Sequence, residues 1–589
     1  MRNEANSSIV SYHPQLKTTI SLKDQVDNEA DQDHYEVDLI LHEHPNVTSA
    51  QLATFVASAA GVPMDDLEIL PRKIRLTVHQ DKLKDLAALD SVNRIEEVEE
   101  YAMYNDHARA TLLDVSAIHG ASISYQGTGQ IVCVADSGFD QGFAADAGDV
   151  KIHPAFINRV VQIMRMVPET ELPHDPVGHG THVCASICGN GVYKNTIDAV
   201  DVPIQGTAPN ARVVVQAMSK LDPFYGWILK PPSDTSALYS SAHELGVRIH
   251  NNSWGKKYKP AKGQLGYEAD ATAIDLFIGK HLDFCILVAA GNDAQLVDPP
   301  GSQIGANASA KNCITVGATG TTRDNDGQRF THGKHEHALD ISSVASFSSR
   351  GPTLPGRDAK GQLVVGRIKP DVVAPGVAIL SAASRALPKE KYTRVANGVS
   401  DDPDWMFQSG TSMSTPLVAG CVALLREALH AVGKAKISAA LIKALLINGA
   451  ILHGNAGAAQ GHSIFDYAQG FGLVNVAASL TMVQQLSFVD GWRGKMDAIS
   501  EAPHSQDVPP LRVTLEAEKA WQSPPLVVPS TGIRTRLTVT LTYPDPPGAL
   551  LQNDVNLIVR AGVEGAIERH GNMADGEVGF DLVSKSVHQ

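Results

Sequence analysis

Ser412 stands in Gly410-Thr411-Ser412-Met413-Ser414-Thr415-Pro416, just ahead of the apolar run Leu417-Val418-Ala419-Gly420-Cys421-Val422-Ala423-Leu424-Leu425. Such a run reads as a buried helix, which puts Ser412 at its N-terminus. Backbone N–H groups there have no intrahelical acceptor, and the helix dipole favours negative charge. A hydroxyl so placed is a candidate nucleophile with an oxyanion site beside it. The plainer reading is an N-cap serine. Pro416 is expected in the first turn, where no donor is needed. Two more polar residues fall at element ends. Asp136 follows the apolar strand Ile131-Val132-Cys133-Val134-Ala135 and could orient an imidazole; alone it would pass for a turn aspartate. His179 opens His179-Gly180-Thr181-His182-Val183-Cys184-Ala185-Ser186-Ile187, where Gly180 would let backbone or substrate approach closely. A core histidine, or a metal pair of His179 with His182, accounts for the same residues differently. The i, i+3 spacing permits the pair, but no third ligand follows at a usual distance.

Taken together, Asp136, His179 and Ser412 occur in the chain order Asp, His, Ser that subtilisin uses. Further segments point the same way: Gly206-Thr207-Ala208-Pro209-Asn210-Ala211, Asn252-Ser253-Trp254-Gly255, Ala289-Ala290-Gly291-Asn292 and Lys369-Pro370-Asp371-Val372-Val373-Ala374-Pro375-Gly376. From about residue 105 to 480 the chain resembles the subtilases, the subtilisin-like serine peptidases. The resemblance implies roles residue by residue. Ser412 would be the nucleophile, His179 the general base and then acid, and Asp136 the residue that holds the imidazole tautomer. Asn292 would aim its amide at the oxyanion, a contribution of about 3–4 kcal/mol for such a donor. The Ser412 backbone N–H would be the second donor. Ser253, Trp254 and Gly255, with Ala290 and Gly291, would bind substrate, the first three as an extended segment that pairs with its backbone and walls the S1 pocket. Ser414, Thr415 and Leu417 depart from the commonest family residues without touching the triad.

Stepping outward from these residues, the elements that must position them follow from periodicity. Apolar strands at Ile131–Ala135, Val213–Ala217, Ile249–Asn252, Phe284–Ala289 and Ile314–Val316 alternate with helices. Near-continuous apolar strands belong in a parallel sheet buried on both faces. The fold class expected is α/β: a doubly wound, mostly parallel, subtilisin-like sheet over 105–486, its site at the carboxyl ends of the strands. Ahead of it, residues 1–34 read as a flexible arm. Residues 35–104 show the β-α-β-β-α-β order of a ferredoxin-like α+β unit, which resembles a subtilase propeptide and inhibitor. The resemblance implies self-cleavage between Tyr104 and Asn105, a large residue before the cut agreeing with a roomy apolar S1 pocket. After about Leu486 the helices stop. Leu511–Leu515, Arg536–Tyr543 and Val555–Val559 read as strands of a C-terminal β-sandwich or jelly roll over 487–589, cut short relative to the subtilase branch that carries one.

Composition bounds the rest. The chain has 589 residues, 43% hydrophobic and 19% charged, with a net charge of −15 that argues against a nucleic-acid partner. Residues 1–104 hold 9 Lys+Arg and 19 Asp+Glu, so most of the acidity lies in one separate unit. Six cysteines, at 133, 184, 188, 285, 313 and 421, sit in apolar segments and read as reduced core thiols. No apolar signal segment or membrane-length run is visible, which leans intracellular; secretion from an incomplete N-terminus is the alternative. The reaction needs no cofactor. A structural Ca²⁺ is left open, with Asp545, Asn553 and Asp554 as candidate ligands, turn roles being favoured. The His/Glu-rich loop at 331–337 reads as a solvated insertion. Expected partners are protein or peptide substrates and the chain's own propeptide in cis, with the chain a monomer. The function expected is serine endopeptidase made as a zymogen. A silent subtilase-fold scaffold or trapped zymogen, and an esterase or ligase using the same acyl-enzyme, stand as alternatives.

Overall fold

A computed structural model describes residues 34–42, 48–97, 101–103, 125–490 and 538–570, apart from single positions and short internal segments, the longest being 322–340, 388–401 and 454–464. Two units separate: residues 1–100 with 259–263, and the remainder.

In the first unit the expected β-α-β-β-α-β order is present. Strands β1 (His34–Leu41), β2 (Glu68–Leu70), β3 (Lys73–His79) and β4 (Val92–Glu97) form an antiparallel sheet in the order β2-β3-β1-β4. Helices α1 (Ser49–Ala60) and α2 (Leu83–Ala87) fill the two connections. Thr48 caps α1 in a capping box with Gln51, and Gly61 ends it at φ +71°. Alternating residues of β1 and β3, among them Val37, Leu39, Ile74, Leu76 and Val78, meet Val56, Leu83 and Leu86 in a small closed core.

The second unit begins with β5 (Tyr101–Met103). Then follow β6 (Ile131–Asp136), β7 (Val160–Arg165), α3 (His179–Cys188), β8 (Arg212–Ala217), β9 (Ile249–Asn252), β10 (Trp254–Lys256), α4 (Ala269–Lys280), β11 (Cys285–Ala289), β12 (Ile314–Thr319) and β13 (Val372–Pro375). Helices α5 (Thr411–Ala431), α6 (Ala439–Gly449) and α7 (Val476–Gln484) follow, and a hairpin of β14 (Ile558–Ala561) and β15 (Ile567–His570) ends the described chain. Seven strands form one all-parallel sheet in the order β13-β12-β11-β9-β6-β8-β7. Strand order reverses at β6, so a crevice opens at the carboxyl ends of β6 and β9. Asp136 ends β6, and Ser253 follows β9.

Apart from the edge strand β7, whose residues are half-buried or exposed, the strands of this sheet are largely buried on both faces. Helix α5 is buried nearly all round from Thr411 to Leu429, the behaviour of a helix without a polar face. It approaches the sheet connections closely: a Cβ at Gly420 would lie 2.5 Å from Thr207 Cβ. Asp371 binds Lys369 at 2.7 Å and Lys443 at 2.9 Å, tying α6 to the sheet. All six cysteines are free and buried, as expected of core thiols. No helix among the described residues is long and apolar enough to cross a membrane.

The C-terminal segment departs from expectation. The described part of the expected strand Arg536–Tyr543, residues 538–543, makes no ladder. Its polar groups go to the body of the unit instead: Thr542 Oγ1 donates to Ala440 O, and Thr538 O accepts from Asn448 Nδ2 at 3.4 Å. Beyond it, Lys311 Nζ binds Asp545 Oδ2 at 2.6 Å, and Asn312 exchanges two 2.9 Å bonds with the Asp545 backbone. The expected strand Val555–Val559 is β14 in part. Leu511–Leu515 lies outside the described residues, as do the 331–337 loop and Tyr104 with Asn105.

Candidate active site

Strand β6 delivers Asp136, fully buried, to the crevice. Its Oδ1 accepts from Ser137 N at 2.7 Å and pairs with His179 Nδ1 at 2.5 Å. His179 is the first residue of α3, preceded by Gly178 at φ +85°. The glycine after it is sterically required: a Cβ at 180 would lie 2.3 Å from Gly138 O and 3.2 Å from Asp136 Cβ. Backbone approach, one of the two reasons anticipated for Gly180, is therefore the one realised.

What holds α3 in place was not read from the sequence. Asp175 is fully buried and gathers five donors. Its Oδ1 accepts from Ser137 Oγ (2.7 Å), Gly178 N (2.8 Å) and Val177 N (3.3 Å), and its Oδ2 from Thr181 N (2.8 Å) and Thr181 Oγ1 (2.7 Å). One carboxylate thus ties the residue after Asp136 to the helix that starts with His179, and satisfies N–H groups at a helix N-terminus. A buried-turn signal was available in Asp175-Pro176-Val177-Gly178, but the aspartate lies four residues ahead of His179, off the N-cap position.

His182 points elsewhere. Burial pushes its pKa down to about 3, and its Nε2 lies 3.1 Å from Ile379 O and 3.2 Å from Met406 O. It is a neutral core imidazole donating to carbonyls. Among the described residues no three His, Cys, Asp or Glu gather as a metal would need. Asp545 spends its carboxylate on Lys311, Gln552 N and Asn553 N, which is the turn role favoured for it.

Ser412 is the second residue of α5. Its Oγ donates to Ser253 O at 2.5 Å, and its own carbonyl accepts from Ser253 Oγ at 2.8 Å. The second bond has a cause in Pro416. That proline is the sixth residue of α5, past the first turn expected for it, so its missing N–H leaves the Ser412 carbonyl without its helical donor. Ser253 supplies the replacement. Gly376, from the Lys369–Gly376 segment, packs under the same turn: its carbonyl accepts from Gly410 N at 2.8 Å, and a Cβ on it would meet Ser414 Oγ at 2.4 Å.

Asn292 follows β11 and turns its side-chain oxygen to the start of α5, accepting from Thr411 N at 2.9 Å and Thr411 Oγ1 at 3.0 Å. The amide NH₂ therefore points away from the helix. Gly291 N donates to Thr411 Oγ1 at 3.2 Å, and Ala290 N to Val316 O at 2.9 Å. The first-turn position of Ser412 leaves its N–H without an intrahelical acceptor.

Trp254 takes the alternative role of core packing: its side chain is buried, with Nε1 donating to Ala135 O at 2.8 Å. Its backbone does meet an extended chain: β10 pairs antiparallel with β5, Trp254 opposite Met103, Gly255 opposite Ala102 and Lys256 opposite Tyr101. The indole anchors β10 one residue from Asp136, while the strand's edge holds the paired segment.

The profile of the subtilase family matches residues 127–472, more than half of the chain. The serine protease/ABC transporter B family protein tagD of Dictyostelium discoideum is 30% identical over 434 residues, which are 62% of this chain and 23% of that protein. The serine protease AprX of Bacillus subtilis is 27% identical over 313 residues, 51% of this chain and 58% of AprX. The chain thus spans under a quarter of the first relative and less than two thirds of the second. Among solved structures, fervidolysin from Fervidobacterium pennivorans, a keratinolytic enzyme related to subtilisin, aligns with a TM-score of 0.47 at 21% identity, over 77% of this chain and 62% of that one.

Proposed function

The chain belongs to the subtilase family, and from that premise we propose that it is a serine endopeptidase that cleaves proteins through an acyl-enzyme on Ser412. The observation that carries the reading is the buried 2.5 Å bond between Asp136 Oδ1 and His179 Nδ1. In this reading His179 Nδ1–H donates to the Asp136 carboxylate, which leaves Nε2 to act as base. Ser412 Oγ gives its proton to His179 as it bonds the substrate carbonyl carbon. The carbonyl oxygen becomes an oxyanion, met by the Asn292 amide and the Ser412 N–H. His179 then protonates the leaving amine as the C–N bond breaks, and water repeats the sequence to free the acid.

The enzyme is made as a zymogen whose cut lies between Tyr104 and Asn105. Support comes from β5, the chain just ahead of that point, seated on β10 where a substrate backbone would pair. One observation favours a trapped zymogen as the second reading: with β5 in place, the Ser412 hydroxyl bonds the Ser253 carbonyl. Fluorophosphonate labelling and intact mass decide between them. The active reading expects labelling that Ser412→Ala abolishes, a drop in turnover of roughly 10⁶-fold in that variant, and loss of residues 1–104 only when Ser412 is present. A chain that stays full-length and unlabelled is the trapped or silent form.

A further inference from the structure

Strand β5 shows how a chain lies on β10. Opposed residues of an antiparallel pair put their side chains on one face, and the face alternates at each step. With Met103 opposite Trp254 and Ala102 opposite Gly255, a substrate in this register presents its next residue opposite Ser253. The Ser253 carbonyl bonds the Ser412 hydroxyl at 2.5 Å, so that next residue is P1, the one whose carbonyl is attacked. Its side chain leaves the strand on the same face as the side chain Gly255 lacks. On that face stands Asn307.

Asn307 is 3% exposed. A Cβ on Gly255 would come within 2.9 Å of its Oδ1, and one on Gly305 within 3.8 Å. Neither glycine puts a side chain against this buried acceptor. Its orientation is settled by Nδ2, which donates to Trp254 O at 3.1 Å; a flipped amide would set two oxygens against each other. Oδ1 has no donor among the described residues. A buried acceptor left unpaired is costly, and native structures rarely keep one without a use.

We propose that Asn307 Oδ1 is the specificity-determining acceptor for the P1 side chain, so that the enzyme favours a P1 residue with a neutral donor at the end of a long side chain, tyrosine above phenylalanine. Diagonal neighbours across an antiparallel pair stand about 7–8 Å apart, within reach of an aromatic side chain. A phenylalanine fills the same space and leaves Oδ1 unpaired, and a lysine would bury a charge against one neutral acceptor. The residue at the expected self-cleavage point, Tyr104, has the required phenol. The pocket is then not the purely apolar one expected from the sequence.

This inference rests on the peptidase reading, and the experiment keeps the two apart. The full chain is assayed for kcat/KM on peptides that differ only in Tyr or Phe at P1, with fluorophosphonate labelling of Ser412 in parallel. Tyrosine should be favoured about tenfold, the worth of one neutral hydrogen bond. In Asn307→Ala and Asn307→Leu the ratio should fall toward one. Labelling and cleavage with a wild-type ratio near one, or a ratio that survives both substitutions, overturns the role of Asn307 alone. Absence of both labelling and cleavage overturns the peptidase reading and this inference with it.

Discussion

At the residue scale the positions proposed to react lie in short motifs, whereas the residues that hold them are scattered. Asp136, His179 and Ser412 sit in distinctive local strings. Asp175 does not, because its role exists only when Ser137, Gly178 and Thr181 converge on it. Asp175→Asn replaces one acceptor oxygen by a donor facing N–H and O–H groups. It should cost about 1.5–3 kcal/mol of stability and lower kcat at least about tenfold by loosening the Asp136–His179 geometry. Denaturant melts and turnover measured on the same preparation check this; unchanged kcat would remove Asp175 from the positioning role. A second prediction concerns pH. Burial pushes both His182 and His250 down to about 3, below an ordinary histidine. The folded chain binds these protons more weakly than the unfolded one. Their stabilising contribution is therefore complete above the unfolded value of about 6.5 and is lost as pH falls toward 3, at roughly 1.4 kcal/mol per pH unit for each. Urea midpoints should drop on acidification through that window, and His250→Gln should flatten the slope by one proton. A midpoint independent of pH there would contradict it.

At the element scale, helix α5 carries conflicts between local preference and tertiary need. Pro416 removes a helical donor, and the unit answers with Ser253 Oγ on the Ser412 carbonyl at 2.8 Å. The helix therefore begins with Ser412 bonded to the loop after β9. Gly420 lowers helix propensity by about 1 kcal/mol relative to alanine, yet a Cβ there would lie 2.5 Å from Thr207 Cβ and 3.2 Å from Ala208 N. Packing should win: Gly420→Ala is expected to destabilise by about 1–3 kcal/mol. A rise in Tm for this variant would show that the helix can shift at no cost. The apolar run and its serine could be read as a helix start without coordinates. That the same helix needs a glycine in its middle could not, since the reason lies on a loop more than two hundred residues earlier.

At the scale of the whole molecule, the C-terminal segment belongs energetically to the unit that carries the subtilase match. Lys311 is buried, and burial lowers its pKa against the pull of Asp545. Besides Asp545 it is held by the Pro546 and Leu550 carbonyls, at 2.5 Å and 3.0 Å. Asp545→Asn strands a buried ammonium and should cost about 3–5 kcal/mol. The paired replacement Lys311→Met with Asp545→Asn should recover part of that loss, because no ammonium is left without its partner while the asparagine oxygen still accepts from the backbone amides beside it. Chemical denaturation of the single and paired variants tests it; equal losses in both would mean that the segment is held by something other than this pair.

What the sequence by itself determined is whatever local pattern encodes: apolar strands alternating with helices, the α/β fold, the ferredoxin-like order of the first unit, and the Asp136, His179, Ser412 and Asn292 strings. What only the tertiary structure decided is whatever depends on partners distant in the chain. The Trp254 side chain is a core anchor because Ala135 O lies within reach of its indole. Asn307 becomes a buried acceptor beside β10 only because Gly255 and Gly305 put no side chain against it and the Trp254 carbonyl takes its amide N–H. Residue types and spacing state which chemistry is available. Packing and hydrogen-bond satisfaction state which atoms are left free to do it.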